Sequence, residues 1–190
     1  PLEDFKNVRR SGLIALKLKT DDMLEWVKPS VGKDEIILAT AGGQAIRFKE
    51  SGIRSMGRSA SGVRGIRLKS NDEIVGMDVV YPELIKKNIL EMLVISENGM
   101  GKKTKLSEYK VQGRGGSGIK TMAVTPKTGK IVGMRVINNT EEKDLMIISV
   151  KGQVIRTPLK NVSTLGRATQ GVRIMRPKVE GDKVASITLL

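Results

Sequence analysis

The sequence predicts an all-β protein, a propeller-type array of four-stranded blades with about three blades complete and a fourth half present. Two periodic features and one absence predict it. A segment containing Gly-Arg recurs at residues 57–64 (GRSASGVR), 113–120 (GRGGSGIK) and 166–173 (GRATQGVR). Its second glycines, Gly62, Gly118 and Gly171, stand roughly 50–56 residues apart, a period typical of propellers and solenoids. In step with it, an apolar run meets a glycine turn and continues into a strand carrying a base, at residues 36–48, 92–104 and 145–157. No stretch has a helical periodicity strong enough to build a second domain.

Each element follows from its local pattern. Gly43, Gly99 and Gly152 supply the positive φ that tight hairpin turns demand. The continuous apolar run at residues 145–148 suits a strand buried on both faces. After the motif, apolar and basic residues alternate: Leu16, Lys17, Leu18, Lys19 in one place and Ile66, Arg67, Leu68, Lys69 in another. Period two with bases on one side predicts a half-buried strand with a cationic outer face, making Arg67 and Lys69 candidate contacts. Shorter apolar strands follow acidic turns at residues 23–27, 74–80, 131–137 and 184–189. Grouped along the chain, these give blades at 12–49, 62–105 and 118–157 and a half blade at 171–189, in one domain spanning 1–190. Residues 81–88 (YPELIKKN) read as a loop insertion, since Pro82 and the short length allow no more than a helical turn. An array of this kind must close or leave strand edges open. Pro1 with no preceding Met suggests a piece of a longer chain.

Charge sets the class of partner. The chain carries 34 Lys+Arg against 20 Asp+Glu, a net charge of +14. An excess of that size costs stability through self-repulsion and answers a polyanion, nucleic acid first and an acidic membrane surface second. Cysteine and histidine are both absent, which removes thiolate and imidazole metal sites, disulfides and His-dependent triads. No cofactor is expected. No apolar run approaches the roughly 18 residues of a membrane span and no signal peptide opens the chain, so a cytoplasmic protein is expected.

Three basic positions keep register across the copies. Arg58, Arg114 and Arg167 form the first; Arg64, Lys120 and Arg173 the second; Arg47, Lys103 and Arg156, each four residues past a hairpin glycine, the third. In a stack of similar blades each set becomes a stripe of charge along one rim, suited to the regular phosphates of duplex DNA. The bland alternative is a set of solvated strand faces. Gly115, Gly116 and Gly118 are small enough for backbone amides to approach a phosphate, or they form a loose turn between blades. A nucleotide-binding Walker loop is excluded, because Ile119 intrudes before Lys120 and a strand follows where a helix is needed. The aromatics Phe5, Trp26, Phe48, Tyr81 and Tyr109 are too scattered to stack successive bases, which favours duplex over single-strand binding. Two other readings are a propeller scaffold that binds protein on one disc face and, weaker for want of catalytic constellations, an enzyme.

The segments GRSASGVRGIRL, QGRGGSGIKTMAV and LGRATQGVRIMRP resemble the blade signatures of the C-terminal domain of the bacterial DNA gyrase A subunit, and those of the related topoisomerase IV subunit. The resemblance covers nearly the whole chain. It implies a β-pinwheel, a propeller-like disc whose blades exchange strands and whose basic perimeter wraps DNA to support negative supercoiling. It also implies that this is the C-terminal portion of a domain of about six blades. Gln112-Gly113-Arg114-Gly115-Gly116-Ser117-Gly118 is similar to the family's hallmark box, with Gly113 and Ser117 in place of two bases, and this similarity adds Gln112 to the candidate contacts. In a first, weaker copy Val8 and Ile14 stand where the others have bases. The family's cleavage tyrosine and ATP site match nothing in this chain. The resemblance therefore implies a non-catalytic part of an ATP-hydrolysing type II topoisomerase at the bacterial nucleoid. The partners it implies are double-stranded DNA, the gyrase B subunit, and the rest of the gyrase A subunit, with no membrane.

Overall fold

The structure is a computed structural model that describes residues 1–190. It is almost entirely β, with eleven strands gathered into two four-stranded antiparallel sheets and one three-stranded sheet. Three hairpins form the scaffold: β1 (Glu35–Thr40) with β2 (Gln44–Lys49), β4 (Leu90–Ser96) with β5 (Met100–Lys105), and β8 (Asp144–Ser149) with β9 (Val154–Pro158). The turn of each closes with a glycine N–H donated three residues back, from Gly43 to Thr40, Gly99 to Ser96 and Gly152 to Ser149. All three glycines have φ between 75° and 84°, the left-handed step that returns a tight hairpin.

Strand partners differ from the contiguous grouping expected from sequence. The strands β3 (Ile74–Val80), β7 (Ile131–Asn138) and β11 (Val184–Leu189) each pair with the hairpin before them, on β1, β4 and β8 respectively. The motif strands shrink to two residues, β6 (Ile119–Lys120) and β10 (Val172–Arg173), and reach back a further unit to β2 and β5. The route between is fixed by a short 3-10 turn after each hairpin, at Glu50–Gly52, Leu106–Glu108 and Leu159–Asn161. Beyond the second turn the chain runs parallel to the preceding sheet, Val111 beside Arg47; beyond the third, Thr164 lies beside Lys103. Each four-stranded sheet is therefore a hairpin, the apolar strand of the next unit and the motif strand of the unit after that, and the three-stranded sheet is a hairpin and its apolar strand.

The same rule explains three expected strands that do not form. Residues 16–19, 23–27 and 66–69 adopt no strand, and Met23 and Val27 are about three-quarters exposed (73% and 76%). Strands of these two kinds pair with earlier hairpins, and within these residues none precedes β1. Residues 65–67 pair instead with the second motif loop, Gly115 N–H to Gly65 O and Arg67 N–H to Gly116 O, both 2.8 Å. Residues 82–86, inside the expected loop insertion, form the five-residue helix α1 (Pro82–Lys86), whose Leu84 and Ile85 pack on the core.

The core lies between the sheets. Ile37 and Ala39 of the first sheet meet Met92, Val94 and Met134 of the second; Leu93 and Ile95 of the second meet Leu145, Ile147 and Val184 of the third. All seven residues of β4 are buried, because its alternate side chains feed both layers. The strand buried on both faces is thus β4. In β8 burial alternates, and Met146 and Ile148 turn towards a face that no further sheet covers. No helix is long and apolar enough to cross a membrane.

Candidate nucleic-acid interface

The motif loops are anchored from below and clamped from the side. Gly118 has φ +71°, and a Cβ there would lie 2.5 Å from the carbonyl oxygen of Ala45; at Gly171 (φ +78°) it would lie 2.6 Å from that of Gly101. Only glycine lets the loop lie flush on the return strand. The bases that follow two residues later, Lys120 and Arg173, project into solvent, and Arg64 is equally exposed. The first stripe supplies the clamp. Arg114 Nη1 donates to the carbonyl of Arg64 (2.6 Å), Arg167 Nη1 to that of Lys120 (3.1 Å) and Arg58 Nη1 to that of Ile14 (3.2 Å). Each first-stripe arginine therefore holds the backbone of the second-stripe position in the preceding copy. The Ile14 contact shows that the clamp is kept where the base is missing. Arg114 is exposed and Arg58 and Arg167 are half-buried, and the Nε of Arg167 is itself buried without a partner.

The third stripe does not reach the rim as expected. Arg47 is 5% exposed; its Nε pairs with Glu35 at 2.5 Å and its Nη1 donates to the carbonyls of Leu106 (3.1 Å) and Tyr109 (3.0 Å). Lys103 is 8% exposed and pairs with Glu91 at 3.4 Å, while Thr164 donates to the other oxygen of that carboxylate. Only Arg156 is exposed, paired with Asp144 at 2.6 Å. In every hairpin the acid stands 12 residues before the base (Glu35/Arg47, Glu91/Lys103, Asp144/Arg156), diagonally across the antiparallel pair on one face. Burial of one charge demands the other, so this register serves folding in the first two sheets.

The remaining candidates divide. Arg67 and Lys69 are exposed beside Arg64. Gln112 is half-buried and donates its backbone N–H to Arg47 O, while its side-chain Nε2 is buried without a partner. Gly115 (φ +82°) and Gly116 spend an N–H and a carbonyl on the pairing with residues 65–67. The Gly115 amide is consequently unavailable to cradle a phosphate, and the glycine-rich loop is a joint between copies.

Four further sets of residues support the rim and are not legible as functional in the sequence. Asp72 accepts the N–H of Gly42 at 2.7 Å and Asp182 that of Lys151 at 3.0 Å, so acidic turns cap the tip of the preceding hairpin. Glu97 takes the N–H of Lys130 and the ammonium of Lys183, and the Lys183 contact holds its carboxyl below the ordinary range. Tyr109 is buried with its hydroxyl 2.6 Å from Thr121 Oγ1, and burial pushes that phenol up to about 12. Lys102 sits under the last motif loop, fully buried.

Comparison with known proteins agrees with this architecture. The sequence matches the family described as DNA gyrase C-terminal domain, beta-propeller, over residues 1–30, 34–80, 91–138 and 143–190. The last three spans each enclose a hairpin and the apolar strand that joins it, the same grouping seen in the sheets. The chain is 41% identical over 175 residues to the DNA gyrase A subunit of Staphylococcus aureus strains MRSA252 and N315, covering 92% of this chain and 19% of those proteins. It thus spans about a fifth of the length of these relatives (19%). Among solved structures, the C-terminal domain of a DNA topoisomerase IV superposes with a TM-score of 0.88 at 25% identity, covering 100% of this chain and 57% of that one. A DNA gyrase A C-terminal domain superposes with a TM-score of 0.78 at 25% identity, covering 95% and 58%. The E. coli ParC C-terminal domain shares the fold at 14% identity, with a TM-score of 0.66 and 93% and 70% coverage. With four matched spans covering most of its length, this chain belongs to the DNA gyrase C-terminal domain family.

Proposed function

We propose that this chain is a non-catalytic module that binds duplex DNA and bends it around a basic rim. It works in the bacterial cytoplasm within a gyrase-type topoisomerase, joined to the rest of the A subunit, with the B subunit as partner. The observation that carries this reading is the clamped second stripe. Exposed Arg64 and Lys120 repeat one unit apart, and the next copy's arginine holds the backbone of each. Exposed Arg173 continues the row on β10. A row of cations on a rigid backbone keeps its spacing when DNA arrives and loses little entropy on binding. Arginine adds a planar fork that meets phosphate in two bonds. Arg67, Lys69 and the guanidinium groups of Arg58, Arg114 and Arg167 widen the track, while Arg47 and Lys103 take no part. Smooth bending of a short duplex costs about 1–6 kcal/mol, which distributed phosphate contacts offset.

Such contacts release counterions. With about six phosphates neutralised, log affinity for duplex DNA should fall with log salt at a slope of about −5, with little dependence on sequence. A filter-binding titration measures this, and an affinity indifferent to salt would exclude the mechanism.

A further inference from the structure

We infer that Lys102 is a positioning residue, a buried cation that holds the last basic loop, residues 166–173, in the form that meets DNA. The inference rests on the DNA-binding reading above. Lys102 lies on β5 with 0% exposure, and its ammonium donates to Gly166 O (2.5 Å), Arg167 O (2.7 Å) and Thr169 Oγ1 (3.0 Å). An ammonium has three donors, and here one turn supplies all three acceptors.

The hairpin itself does not require a lysine. The matching positions, three past the hairpin glycine, are Ile46 in the first hairpin and Ile155 in the third. What differs is the loop above. The loop over Ile46 contains Gly115 at φ +82° and Gly116, and a Cβ on Gly116 would lie 3.7 Å from the Ile46 side chain, so an apolar floor suffices. The loop over Lys102 has Ala168 and Thr169 instead, and neither takes a positive φ. The Gly166 carbonyl already accepts from Thr169 within the loop, whereas that of Arg167 turns inward and needs a donor. Lys102 provides it, and in doing so sets the backbone of Arg167, whose own Nη1 clamps Lys120.

The charge on Lys102 is sensitive to mild alkali. Burial pulls it from 10.5 down to about 8, against the attraction of Glu108 and with a smaller push from Arg167. Tyr109, raised to about 12, stays neutral throughout. The chain has no histidine and no cysteine, the side chains that ordinarily titrate nearest to neutral pH. Above pH 8 the neutral amine has two donors and a lone pair facing three oxygens, and the charge beneath Arg167 is gone. DNA affinity therefore falls as pH rises through 8. Fold stability moves the other way. The folded value lies below the unfolded one, so between about 8 and 10.5 the unfolded chain binds more protons and stability rises with pH.

The test compares the 190-residue chain with Lys102→Met and Lys102→Arg, measuring duplex affinity at constant salt, urea stability from about pH 7 to 9 and hydrogen exchange at residues 166–171. The unsubstituted chain should lose about three- to tenfold in affinity over that range while gaining stability. Lys102→Met should be weak and flat across the range, with faster exchange in the loop. Lys102→Arg, charged at every pH used, should bind without the alkaline loss. If Lys102→Met does not fold, Lys102→Ile, which copies the other two hairpins, replaces it. A flat profile in the unsubstituted chain, or the same profile in Lys102→Met, overturns the inference while leaving DNA binding intact. Absence of duplex binding at every pH overturns the DNA reading and this inference with it.

Discussion

Replacing Arg64, Lys120 and Arg173 together by alanine is expected to lower duplex affinity by about two orders of magnitude near 0.1 M salt and to flatten the salt slope by about 3. The three side chains are exposed, and the clamps on Arg64 and Lys120 are made to backbone carbonyls that alanine retains. Stability should consequently stay within about 0.5 kcal/mol per site, as for surface substitutions in general. Gel-shift titrations at several salt concentrations, paired with a urea melt, separate the two effects. Full affinity in a folded triple variant would remove the second stripe from the DNA track.

The opposite pattern is expected at Arg47. Arg47→Met leaves Glu35 as an unpaired buried carboxylate and strips donors from the carbonyls of Leu106 and Tyr109. Breaking a buried pair from one side costs about 3–5 kcal/mol, and here the loss also frees the 3-10 turn that leads into the next motif. Arg156→Met, at the exposed member of the same register, should cost no more than about 1 kcal/mol. Urea midpoints of the two variants check the contrast. Equal midpoints would contradict the division of the third stripe into buried and exposed members.

That division marks the limit of what local pattern conveys. The hairpins are legible, since an apolar run, a turn glycine and a returning strand are all local features. The rim positions after the motif are legible too, because Gly118 and Gly171 fix where Lys120 and Arg173 emerge. Partner choice is not. Alternation in β3 or β7 says which side chains share a face, but the strand it joins is set by the packing of whole sheets. Hence chain order groups the apolar strands with the hairpins that follow them, whereas they pair with those that precede. Arg47 and Lys103 read as rim charges because a base in a strand looks the same buried or exposed. The acid 12 residues earlier signals an ion pair, visible only once the antiparallel register is drawn, but not its burial, since the exposed Arg156 has the same spacing to Asp144. Lys102 carries no such signal, since its acceptors are carbonyls and a hydroxyl more than 60 residues away.

The family membership and the clamped basic rim together make bending with a fixed hand the central claim. A nicked DNA circle, ligated with this chain bound and then stripped of protein, records that hand as a change in linking number. The account predicts a positive shift that grows with bound protein and disappears in the Arg64, Lys120 and Arg173 triple variant. Tight, salt-sensitive binding that leaves the linking number unchanged would contradict it.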